Sequence, residues 1–298
     1  MSDFTTDRAR TVVAPVDGTA EGERALELAA VAARRLDAAL ELFHVVRPMP
    51  PLTVDPPLVA PTADAESLMQ ARADALAHAR EYLATLARRI GGRMTIHTRL
   101  EEGEPAPAIV ARAREHDAEL LVLPTHARGT LARALLGSVA LPVAREAPVP
   151  VLLVPPGAPA HATESWPAYV VLATEGDASA ERALAQVAAL CAPGAQAAIL
   201  TILDPMVALT ERLPREVVDE PDGLAPRLRA AGLAVVAEEA AHGRPAHAIT
   251  EVATEEGAEL LALATHPRHG AGDRLIEGSV AAAVVHRAPC PVWLTHAG

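Results

Sequence analysis

The sequence predicts an α/β protein made of two copies of one module, and three observations carry that expectation. The first is an internal repeat. Gly103-Glu104-Pro105-Ala106, Ala118-Glu119-Leu120-Leu121, Thr125-His126 and Gly137-Ser138-Val139 recur as Gly243-Arg244-Pro245-Ala246, Ala258-Glu259-Leu260-Leu261, Thr265-His266 and Gly278-Ser279-Val280. A repeat of this length decides the architecture before any local feature does. The second is that short apolar runs alternate with amphipathic Ala-rich stretches, the pattern of crossover connections and a parallel sheet. The third is length: 298 residues suffice for two domains, each able to bury a core.

Taken in order, Thr11–Val16 is a short apolar strand, and Asp17-Gly18-Thr19 leads into a helical pattern ending near Leu36. Ala39–Val46 is the next strand. Pro48, Pro50, Pro51, Pro56, Pro57 and Pro61 then exclude helix and central strand. Helical spacing returns from Asp64 to Arg89 and stops at Gly91-Gly92. Met94–Leu100 reads as a strand and Pro105–His116 as a helix with proline in its first turn. Leu120–Leu123 is a buried strand, Gly137–Arg145 a helix and Val149–Val154 a last strand.

A Pro/Gly/Ala linker follows, and the second copy opens at Val170-Val171. The expected division is module 1 over residues 1–156, linker 157–167 and module 2 over 168–298. Arg182 follows Arg24 by 158 positions but His266 follows His126 by 140, so module 2 is 18 residues shorter in between. Its segment from Pro205 to Gly232, broken by Pro214, Pro221 and Pro226, is where the copies differ most.

Composition removes several functions. The net charge of −12 and the 2% aromatic content argue against nucleic acid and anionic membranes, which call for basic surface and, for single strands, stacking rings. No run of about 18 apolar residues is present to span a bilayer, and Met1–Arg10 is polar with no signal-type apolar stretch after it. Cys191 and Cys290 fall at unmatched positions and form no disulfide framework, which fits a reducing cytoplasm. All 26 Lys and Arg residues are arginine. Without lysine there is no Walker phosphate loop, kinase strand lysine or pyridoxal Schiff base.

Two places could carry chemistry, because ligands of open α/β sheets sit beyond the carboxyl ends of the strands near the switch in strand order. At the first strand end stand Pro15, Val16 and Asp17, with Val45 at the end of the second strand. Asp17 could accept hydrogen bonds from a ribose or base, or could turn the chain and help cap the next helix. The second place is Pro124, Thr125, His126, Ala127, Arg128 and Gly129, followed by Gly137, Ser138 and Val139. A Gly-Ser pair opening a helix presents backbone N–H groups to an anion; as an alternative, Ser138 is an ordinary N-cap. His126 and His266 lack the partners of a zinc site. No Ser-His-Asp order, paired carboxylates or G-x-S-x-G elbow points to catalysis.

These stretches, and above all Leu136-Gly137-Ser138-Val139 running to Ala147-Pro148-Val149-Pro150-Val151-Leu152-Leu153-Val154, resemble the universal stress protein family in tandem arrangement. The resemblance spans nearly the whole chain except the Pro-rich loops. It implies two Rossmann-like modules, each a five-stranded parallel sheet with helices on both faces. It also implies pairing through the last strands, Val149–Val154 with Val292–Thr295, with a homodimer of whole chains left open.

Nucleotide-binding members carry a G-x2-G-x9-G-[S/T] loop around ATP phosphates, and this chain departs from it. In module 1 the leading glycines are Pro124 and Ala127, while Gly137-Ser138 is kept. In module 2 they are Ala264 and Pro267, ten residues precede Gly278-Ser279, and Asp17 becomes Glu175. If the family glycine uses a left-handed conformation, Ala127 can follow at about 1–2 kcal/mol; Pro267 cannot. The resemblance therefore implies ATP, with magnesium, held mainly by module 1, and a degenerate set of Glu175, His266, Gly278, Ser279 and Val280 in module 2. The implied role is cytoplasmic, regulatory and non-enzymatic, with protein partners unspecified. Two other readings stay open: a member that has lost nucleotide and works by protein contacts, and a weak ATPase.

Overall fold

The computed structural model describes residues 10–48, 65–92, 94–115, 118–125, 137–156, 158, 163–174, 178–203, 223–242, 244–265 and 280–296. Module 1 runs β1 (Thr11–Pro15), α1 (Ala20–Arg35), β2 (Ala39–Val46), α2 (Ala65–Ile90), β3 (Ile96–Glu102), α3 (Pro105–Glu115), β4 (Leu120–Pro124), α4 (Ala140–Glu146) and β5 (Val151–Val154). Module 2 runs β6 (Tyr169–Thr174), α5 (Ala178–Ala185), a 3-10 turn (Gln186–Ala189), β7 (Gln196–Leu203), α6 (Leu224–Ala230), β8 (Ala234–His242), α7 (Pro245–Glu255), β9 (Leu260–Thr265), α8 (Val280–Arg287) and β10 (Val292–His296).

The elements start and stop for local reasons. Thr19 caps α1, with acidic Glu21 and Glu23 in the first turn and Arg34 and Arg35 in the last, complementing the helix dipole at both ends. α2 stops where Gly91 and Gly92 take φ of 42° and 98°, a conformation glycine reaches without Cβ strain. The third strand lies two residues beyond the expected Met94–Leu100, because β2 pairs with it from Leu40↔Ile96 to Val46↔Glu102. The fifth starts at Val151 rather than Val149, since Pro148 and Pro150 offer no N–H to a ladder. The Pro-rich segment 49–64 and residues 204–222 lie outside the described residues.

All ten strands form one sheet in the order β3-β2-β1-β4-β5-β10-β9-β6-β7-β8. Neighbours within a module are parallel; β5 and β10 are antiparallel, with Val292↔Leu153, Trp293↔Leu152 and Leu294↔Val151. The last strands thus pair as the resemblance implied. The antiparallel junction also points the carboxyl ends of the two half-sheets in opposite directions, so any two strand-end crevices lie at opposite ends of the molecule.

Side chains alternate across the sheet into two cores, each continuous through both modules. One holds Val12, Leu152 and Trp293 beneath α1, α2, α5 and α6. The other holds Val13, Leu153 and Leu294 beneath α3, α4, α7 and α8. The linker is tied to both modules: Arg34 pairs with Glu164 at 2.8 Å, and Trp166 Nε1 donates to the Glu259 carbonyl at 3.3 Å. No helix among the described residues is long and apolar enough to cross a membrane.

One buried polar pair breaks the likeness of the copies. Arg112 on α3 meets Glu41 on β2 through two hydrogen bonds, that from Nε at 2.6 Å, with side chains 9% and 5% exposed. The matched positions in module 2 are Val252 and Ala198. An apolar pair therefore serves the same place in the fold. Removing one partner strands a buried charge, whereas an apolar pair of similar volume does not. Glu41→Ala should cost about 3–5 kcal/mol in urea unfolding, while Glu41→Leu with Arg112→Met should recover most of that loss.

Cys191 and Cys290 are buried and unpaired. Burial pushes both thiols up to about 12, so almost no thiolate exists near pH 8. Iodoacetamide at pH 8 should leave both unmodified in the native protein and label both once urea unfolds it.

Candidate functional site

β1 and β4 are neighbours at the centre of module 1, paired Val12↔Leu120 and Val13↔Leu121. The chain leaves β1 for α1 on one face of the sheet and β4 for α4 on the other. The two connections diverge from adjacent strand tips, which is the topological switch point where doubly wound sheets hold ligands.

The first tip is a tightly specified turn. Val16 N–H donates to the Phe43 carbonyl at 2.9 Å. His44 Nδ1 lies 2.6 Å from the Val16 carbonyl; since a carbonyl only accepts, Nδ1 carries the proton. Gly18 then takes φ of 81°, a left-handed conformation that suits glycine. Asp17 Oδ1 accepts from Thr19 N–H at 3.1 Å and from Thr19 Oγ1 at 2.6 Å, and Thr19 Oγ1 accepts from Gly22 N–H at 3.1 Å. Asp17 therefore does not cap α1. Thr19 is the cap, and Asp17 orients the capping hydroxyl while its side chain stays exposed.

Gly22 leaves this arrangement uncrowded. A Cβ there would stand 3.0 Å from Asp17 Oδ1. The matched residue in module 2 is Ala180.

Tyr82 on α2 closes the floor of the turn. Its ring packs edge-on to His44 with centroids 6.0 Å apart. The hydroxyl is buried beside the Gly18 backbone, near Asp17 and Glu23. Burial, reinforced by the Glu23 and Asp17 carboxylates, raises its pKa, so it remains a protonated donor.

The second tip is Thr125, buried after β4. Its N–H donates to the Val154 carbonyl and its carbonyl accepts from Gly137 N–H, each at 3.0 Å. The link brings residue 137 back to the tip of β4. α4 begins at Ala140, later than the expected Gly137, with Val139 at the cap position and no side-chain cap bond. Ser138 is thus not an N-cap; it is exposed in the turn before the helix. The amide of Gly137, expected to face an anion, is engaged by Thr125.

Of the residues singled out from sequence, Pro15, Val16, Asp17, Pro124, Gly137, Ser138 and Val139 stand at these two tips, and Val45 is half-buried one strand outward on β2. His126, Ala127, Arg128 and Gly129 lie outside the described residues, as do Glu175, His266, Gly278 and Ser279 of module 2. Val280 is the first residue of α8. Sequence reasoning missed Thr19, Gly22, His44 and Tyr82. Thr19 had a signal: a threonine directly before a helical pattern with acids in its first turn is a cap signature. Tyr82 and His44 meet only through tertiary packing and carry no local signal.

The fold and this site define a tandem doubly wound α/β protein with its candidate crevice at the switch point. The universal stress protein family profile matches residues 8–155 and 169–296, and the chain belongs to that family, with two modules. A universal stress protein of Thermus aquaticus, named for its position 3' of a QAH/OAS sulfhydrylase, is 30% identical over 146 residues, 49% of this chain and 98% of its own length. A universal stress protein crystal structure from Archaeoglobus fulgidus covers 98% of this chain and 100% of its own, with TM-score 0.68 and 16% identity. A functionally unknown protein of Pseudomonas aeruginosa, PA1789, covers 97% of this chain and 93% of its own, with TM-score 0.54 and 16% identity. These two likenesses speak to fold.

Because Asp17 shapes the turn, removing its carboxylate tests structure as well as binding. Asp17→Ala and Thr19→Ala should each cost about 1 kcal/mol in unfolding free energy without any ligand. Asp17→Asn keeps an acceptor oxygen for Thr19 and should stay within about 0.5 kcal/mol of the parent.

Proposed function

We propose that module 1 binds an adenine nucleotide, ATP with magnesium, in the crevice between the tips of β1 and β4, and that the protein is a regulatory, non-catalytic stress-response module of the cytoplasm. The observation that carries this reading is the juxtaposition at one switch point of two built turns, Val16–Thr19 and Thr125 with Gly137–Ser138. The Asp17 turn is held by hydrogen bonds from the neighbouring strand and its own helix, so it is organised before any ligand arrives and binding bears less ordering cost. Module 2 contributes no equivalent site on this reading, since Glu175, Ala180 and Pro267 replace Asp17, Gly22 and a glycine-compatible loop position.

A second reading has its own support. The Gly137 amide is engaged by Thr125, and Pro124 supplies no N–H, so the phosphate cradle has lost two donors. A protein with that loss acts through protein contacts alone.

Thermal unfolding separates the two. A ligand selective for the folded state raises the melting temperature, by the equivalent of about 2.7 kcal/mol at a hundredfold excess over Kd. ATP with magnesium at millimolar concentration should raise it, and Ser138→Trp should abolish the rise while leaving the ligand-free melting temperature unchanged. cAMP belongs among the probes because a universal stress protein crystallised with it aligns to 44% of this chain at 29% identity, with TM-score 0.33. No shift with any of these nucleotides would leave the second reading.

A further inference from the structure

The junction between the two half-sheets has an internal symmetry with one exception. Pro150-Val151-Leu152-Leu153 and Pro291-Val292-Trp293-Leu294 are matched segments of the two modules. In the antiparallel register Val151 faces Leu294 and Leu153 faces Val292, two reciprocal contacts, while Leu152 faces Trp293. A pseudo-two-fold axis therefore passes between residues 152 and 293, the one place where a residue meets its own counterpart. At that place the two copies carry a leucine and the largest of all side chains.

Both residues are buried, Leu152 fully and Trp293 at 3% exposure, in the core that also contains linker residues Ala158 and Trp166. Trp293 Nε1 has no hydrogen-bond partner among the described residues. A buried N–H left unpaired is unfavourable, and leucine would carry no such group. The indole is thus present for its volume and not for its polar handle. Side chains directly opposite across an antiparallel pair have Cβ atoms about 4.5–5.5 Å apart, and a packed interior tolerates neither overfilling nor a void. Two indoles about this axis would overfill the space, and two leucines would leave it part empty.

We infer that Trp293 and Leu152 are the specificity pair of the last-strand junction: the exposed edge of module 1 fits an unlike module, one indole against one leucine, and disfavours a second copy of itself. The partner it fits is module 2 of the same chain. Module 1 leaves the ribosome first with a short apolar edge strand, the kind of surface that pairs with neighbouring chains. The mismatch at the axis weakens that like-with-like pairing until the tethered module 2 arrives. This inference is independent of nucleotide binding.

The test is a double-mutant cycle on the full chain with Trp293→Leu, Leu152→Trp and the exchanged pair, read by the urea midpoint of far-UV circular dichroism. Both single variants should lower the midpoint, and the exchange should regain more than half of the summed loss, because it restores one indole and one leucine. Light scattering over a concentration series gives the second readout. Trp293→Leu, whose two edges have become alike, should associate between chains more than the parent does, and the exchanged pair should match the parent. Additive losses, an exchanged pair that fails to fold, or equal chain association in Trp293→Leu and parent would each overturn the inference.

Discussion

The structure depends on a ladder of three residue pairs between β5 and β10. A module of strand order 3-2-1-4-5 leaves its last strand at an edge, and in module 1 that strand, Val151–Val154, is apolar and buried throughout. Left open it would expose both its unpaired backbone and the two layers of side chains above and below it. Antiparallel pairing with β10 satisfies all three needs at once, and both hydrophobic cores consequently run through the junction without a break. The edges that remain, β3 and β8, are of another kind. β3 carries His97, Arg99, Glu101 and Glu102, and β8 carries Glu238 and Glu239, charges that resist further strand addition.

The same ladder governs where chemistry can occur. Parallel strands within a module put both divergent connections at one end of the half-sheet, and antiparallel pairing between modules sends the two ends apart. A ligand at the tips of β1 and β4 therefore cannot touch module 2's strand ends, and each crevice has to be complete within its own module. In module 1 the two tips are shaped by bonds within the module: Asp17 to Thr19, Thr19 to Gly22, His44 to Val16 and Thr125 to Gly137. None of them reaches across the junction.

Much of this was legible in the sequence because the repeat and the period of apolar residues are strong signals. β2 over Ala39–Val46 lies where its apolar run does, and α3 begins at Pro105, a residue suited to a first helical turn. The less legible features depend on contacts between distant residues. β3 sits two residues later than its apolar pattern suggests, since its register is dictated by β2. Asp17 turns the chain and supports the cap, one of the roles its turn sequence allows, whereas the N-cap position open to Ser138 falls to Val139. A turn sequence shows that a cap is needed, but which oxygen supplies it is set by the geometry of the turn, and whether a glycine amide is available depends on a carbonyl twelve residues earlier. The buried Glu41–Arg112 pair gives no local signal either, as its partners lie on a strand and a helix 71 residues apart.

The two copies differ in a pattern that follows from these constraints. At the junction the change keeps apolar character, Leu152 corresponding to Trp293, whereas inside module 1 the charged pair Glu41 and Arg112 is exchanged as a pair for apolar Ala198 and Val252. At the strand tips, changes alter backbone freedom and donors: Gly22 corresponds to Ala180 and Ala127 to Pro267. A residue whose neighbours come from both modules cannot change polarity without disturbing the whole sheet. A residue in a crevice that faces away from the other module can change without any such cost. Substitutions at module 2's strand tips therefore leave its structural role intact, because what module 1 requires of it is a strand and two core faces, and neither involves those tips.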